Sequence, residues 1–71
     1  MDQDAITEAI RELRWMLKDA EANRELCCDK GNPTAVTLWR GYIEGIQGAI
    51  LRLECHRAAA ALNHTISIRL N

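Results

Sequence analysis

Along the first part of the chain, apolar residues recur at steps of three and four: Ile6, Ala9, Ile10, Leu13, Met16, Leu17 and Ala20. At 3.6 residues per turn these side chains stack on one face, so the spacing predicts an amphipathic helix over residues 3–30. Asp2 or Asp4 can cap the free N–H groups at its start, where carboxylates also suit the helix dipole. Glu8, Arg11 and Glu12, and further on Glu21, Arg24 and Glu25, are assigned to its solvated sides. The periodicity breaks at Gly31-Asn32-Pro33. Gly31 suits the left-handed residue that ends a helix, Asn32 is a good N-cap, and Pro33 fits the first helical position, where its missing N–H costs nothing.

A second apolar stripe follows: Ala35, Trp39, Tyr42, Ile46, Ala49, Ile50 and Leu53. It predicts a helix over residues 33–62, and a connection this short makes the two helices antiparallel neighbours. With the turn near Asn32, Trp39 falls opposite Arg24, Ile46 opposite Leu17 and Leu53 opposite Ile10. Beyond Asn63-His64 the pattern changes. Thr65-Ile66-Ser67-Ile68-Arg69-Leu70 alternates at period two, which predicts a short extended tail within residues 63–71. The expected fold is therefore all-α: one domain, an antiparallel two-helix hairpin with an extended C-terminal tail, assembled as a homo-oligomer.

Assembly enters because 71 residues are few. A chain this short rarely draws more than about 3–5 kcal/mol from one core without a staple such as a disulfide, a metal or a second subunit. Apolar residues make up 48% of it, drawn from Ile, Leu and Ala with no Phe, a helix-forming palette. The net charge of −1 is unevenly spread. Residues 1–35 carry eight acids against five bases, and residues 36–71 two acids against four bases, which favours antiparallel pairing or head-to-tail association. Arg40, Arg52, Arg57 and Arg69 are too dispersed to neutralise a phosphate track, so the charge speaks against a nucleic-acid partner. The longest uncharged run, 58–68, is far short of the ~20 residues of a membrane helix. An acidic N-terminus without the layout of a signal peptide, together with an odd number of cysteines, predicts reduced thiols in a cytoplasm.

Candidate chemistry is sparse. No nucleophile–base order, carboxylate pair or phosphate-cradling loop is present, so no catalytic residue and no cofactor is expected. Cys27-Cys28, Cys55-His56 and His64 invite a metal reading, but about 25 Å separates the first pair from Cys55 at ~1.5 Å per residue. No metal site is expected within one chain.

Binding surfaces are better supported. Gly41, Gly45 and Gly48 lie within roughly 60° of one another on the second helix, away from the apolar stripe. Each costs about 0.8–1.0 kcal/mol against alanine. Either they occupy an idle solvent face or they form a groove that another helix or a ligand approaches closely. On the first helix, Trp15 points opposite the core face, with Ala22 and Leu26 on the same outer strip. In the hairpin alignment Trp15 is level with Gly48, so Trp15 of one subunit packing on the glycine face of another is the expected arrangement. Arg40 or Arg52, near Tyr42, could hold a small anion at such an interface.

The block Trp39-Arg40-Gly41-Tyr42-Ile43-Glu44 resembles one found in small helical-hairpin proteins of phages and prophages, over residues 33–53. More distantly, the layout resembles the hairpin domain of phage sponges that sequester cyclic nucleotides from anti-phage signalling, the anti-CBASS and anti-Thoeris proteins. That resemblance implies an anionic nucleotide held between subunits. The 66–70 segment departs from it, and no ligand residue of that family carries over. The expectation is a non-enzymatic oligomeric binding protein of phage origin, acting in anti-defence on a host defence protein or a signalling nucleotide. The alternative is an adaptor coiled-coil protein that binds only helices.

Overall fold

The computed structural model describes residues 3–70, with side chains through residue 63. Two helices account for them: α1, Gln3–Asp29, and α2, Pro33–Leu70. The molecule is a rod of 61 × 16 × 14 Å with a radius of gyration of 17.1 Å, against about 11 Å for a globular chain of this length.

The turn forms as its residues predict. Gly31 takes the left-handed conformation, with φ of 68°. Its N–H donates to the Cys28 carbonyl, and that of Asn32 to the Cys27 carbonyl, both at 3.0 Å. These two bonds satisfy carbonyls at the end of α1 that have no helical partner. The Asn32 Oδ1 then accepts from the Ala35 N–H at 3.1 Å, capping α2 directly after.

Between the helices runs a seam of alternating four- and three-residue steps. Ile6, Ile10 and Ala20 of α1 meet Ile43, Ile46 and Ile50 of α2, with Leu13, Leu17, Trp39 and Leu53 half-buried around them. That spacing is the heptad seam of a coiled coil. It corrects the predicted stripes at two points. Ile43 is in the seam, while Tyr42 is 47% exposed and Met16 43% exposed. Tyr42 and Ile43 lie about 100° apart, on either side of the line from Trp39 to Ile46, and the seam of α1 takes Ile43. Arg24, expected on a solvated side, is half-buried.

The predicted register holds to within about one turn. The Gln3 side chain donates to the Arg57 carbonyl at 3.2 Å, and Arg14 pairs with Glu54 at 2.6 Å. Exposed pairs of this kind add at most about 1 kcal/mol. Their value here is geometric: Arg14 follows Leu13 in the chain and Glu54 follows Leu53, so residues just after seam positions share one broad side of the hairpin. Residues just before seam positions therefore share the other.

The extended tail is a correction. α2 continues as helix to Leu70, and the final position of the predicted tail, 71, lies outside the described residues. A lone strand would leave its N–H and C=O groups unpaired, whereas a helix gives each N–H a carbonyl four residues back. The alternation of Ile66, Ile68 and Leu70 is too short to outweigh that. As a result α2 runs past the start of α1 by roughly 15 Å at 1.5 Å per residue.

Because the seam is narrow, Ile46→Ala should be severe. Ile46 is 6% exposed, and replacing a buried isoleucine with alanine costs about 2–5 kcal/mol. Chemical denaturation followed by circular dichroism is expected to show a loss in that range, and an unchanged midpoint would contradict the assignment of the seam.

Candidate functional interaction surfaces

The outer edge of α1 carries Trp15 and Leu26, as the periodicity predicts. Trp15 is 72% exposed and Leu26 is exposed as well, opposite the seam. A tryptophan standing in water among Glu12, Met16 and Asp19 forms an apolar knob with nothing from its own chain to receive it.

The outer edge of α2 carries Gly41 and Gly48, with Gly45 beside them just before the seam residue Ile46, and all three are exposed. A Cβ built on any of the three would meet nothing within 4 Å. Nothing inside the hairpin therefore requires glycine at these positions, and the helix-propensity cost of about 0.8–1.0 kcal/mol each is uncompensated within one chain. A shallow groove lies along this edge, lined by Glu44, Gly45, Gly48, Ala49, Arg52, Leu53 and His56. Trp15 and the glycines point away from the seam on opposite edges, so only a second molecule could bring them together.

Tyr42 stands apart from both edges. Its ring meets that of Trp39 edge to face, with centroids 5.6 Å apart, and together with Ala35 and Leu38 they line an apolar groove. Leu38, 70% exposed, is part of this surface and escaped the sequence reading because it lies off the predicted stripe. Arg40 follows the seam residue Trp39 and Arg52 precedes the seam residue Leu53, so the two arginines fall on opposite broad sides. They are about 18 Å apart along the helix, and no pocket in one chain joins them around Tyr42.

No family model, curated protein or solved structure matches this chain.

In the sequence His56 is considered only as a metal ligand beside Cys55. It borders three grooves on α2, one of them reaching Ile6 at the start of α1. The signal that could have found it is its place just before the seam position Arg57. Cys27 is half-buried, Cys28 and Cys55 are exposed, and all three are free thiols. Among the described residues no three His, Cys, Asp or Glu side chains converge on a point that could hold a metal ion. Nor, among those residues, is any helix long and apolar enough to cross a membrane.

Two outcomes are expected. Gly45→Leu should raise helix propensity by several tenths of a kcal/mol yet disrupt assembly or ligand binding. A stabilised variant of unchanged mass and binding would make the glycine face idle. Replacing Cys27, Cys28 and Cys55 with serine should leave the fold intact, and chelator should not move the melt, since a structural zinc is coupled to folding. Stoichiometric zinc in the purified protein, with dissociation on its removal, would overturn that.

Proposed function

We propose that this chain is a non-enzymatic, oligomeric binding protein that occludes or sequesters its target through helix surfaces. The observation that carries the proposal is the set of large apolar side chains left in water: Trp15, Leu26, Leu38, Tyr42, Leu51 and Leu62 are all exposed. Tryptophan and tyrosine are enriched where surfaces bind, and exposed apolar patches rimmed by polar groups mark interaction sites. The likeness of residues 39–44 to phage hairpin proteins supports an origin in a phage or other mobile element and a role against host defence. The proposed ligand class is an anionic signalling nucleotide held between subunits, with Arg40 or Arg52 supplying the positive charge. The protein acts in the cytoplasm of the host.

A second reading has its own support. Between the outer edge of α2 and its side that precedes the seam, Leu38, Gly41, Gly45, Gly48, Arg52, Cys55, Ala59 and Leu62 follow one another at steps of three and four. This is a second heptad line suited to a helix as partner, and it favours an adaptor that binds only protein helices.

Thermal melting across a panel of cyclic dinucleotides separates the two. A sponge gains stability with ligand concentration by mass action, about 2.7 kcal/mol at a hundredfold excess over Kd. A melt that no member of the panel moves would remove the nucleotide and leave the helix-binding reading.

A further inference from the structure

The hairpin exposes 5673 Å² of surface, whereas a folded monomer of 8.0 kDa is expected to expose about 4450 Å². The difference of about 1200 Å² exceeds the ~800 Å² that each partner contributes to a standard interface.

Charge selects the surface that closes. On the broad side marked by the Arg14–Glu54 pair, the residues following seam positions include Arg11, Lys18, Glu21, Arg40 and Glu44. Covering that side would strip water from many charges at once. On the opposite broad side, the residues preceding seam positions include Ala9, Met16, Leu38, Tyr42, Gly45 and Ala49, with Glu12, Asp19 and Arg52 as its charges. This side spans both helices, unlike the edges that carry Trp15 on α1 and Gly41 and Gly48 on α2. A Trp15-to-glycine contact would also be head-to-tail, which extends into a filament unless its rotation closes a ring.

We infer that a second copy of this chain covers the Met16/Tyr42 side, related by a two-fold axis along the hairpin, giving a four-helix bundle in which α1 of each copy lies on α2 of the other. The register across that axis is complementary. Met16 comes level with Gly45 and Ala49 of the second copy, placing a long side chain over two small ones. Tyr42 and Leu38 come level with Asn23, again large against small, and Tyr42 also lies beside Asp19. Arg52 comes level with Glu12, so these two charges meet with opposite signs. Every neighbouring pair of helices is then antiparallel, and each acidic α1 lies between two basic α2 helices.

This inference rests only on the self-association in the proposed function; a failed nucleotide titration leaves it standing. Analytical ultracentrifugation of the full chain at micromolar concentration is expected to give a dimer, with a melt that rises with protein concentration. Met16→Glu and Tyr42→Glu should weaken the dimer by a hundredfold or more on the order of a buried-charge penalty, while Gln47→Glu, on the charged side just after Ile46, leaves it unchanged. Arg52→Glu and Glu12→Arg should each weaken it by about tenfold, and the double exchange should restore it. Because Glu12 and Arg52 are exposed, that exchange does not threaten the hairpin itself. A monomeric or trimeric mass, a dimer indifferent to Met16→Glu, or an exchange that fails to restore association would overturn the inference.

Discussion

The heptad seam of Ile6, Ile10, Ile43, Ile46 and Ile50 is the interaction on which the rest of this structure depends. An isolated helix of ordinary composition is marginal in water, and most helical stability in proteins comes from burying an apolar face. Here each helix finds that face only on the other. The Gly31 turn and the Asn32 cap bring the helices side by side, but a turn contributes only local bonds. Register, the two broad sides and the two edges all follow from which residues occupy the seam.

A two-helix seam buries little. Each helix gives up about a third of its circumference, and the remainder stays wet whatever its composition. The residues outside the seam are nonetheless sorted. One broad side is crowded with charge, the other carries alanine, methionine, leucine and tyrosine, and the outer edge of α2 is lined with glycine. Solvent exposure alone requires no such sorting, and glycines with open space around them destabilise a helix without return. That sorting is what the proposed assembly would use.

Such an assembly also sets the limits on function. Within one chain the arginines stand on different sides of α2, and Trp15 is separated from the glycines by the full width of the rod. Any site that joins them is built from more than one copy, so affinity for a ligand and affinity between subunits become linked quantities.

The sequence by itself determined the hairpin. Three- and four-residue spacing marked both helices, and Gly31-Asn32-Pro33 carried the whole chemistry of the turn, because left-handed backbone, capping and a missing N–H are properties of single residues. Outer positions such as Trp15 and Gly45 were equally legible, since a residue opposite an apolar stripe is readable from spacing alone. The choice of Ile43 over Tyr42 was not, because adjacent apolar residues differ by only 100° around the helix and the partner's seam decides which turns inward. The end of α2 was not legible either. Alternation over 65–70 suits a strand locally, yet hydrogen bonds within one chain are available only by continuing the helix. The broad sides of the hairpin, and with them the places of Leu38 and His56, had to wait for the tertiary structure: a side spanning two helices exists only once their register is set.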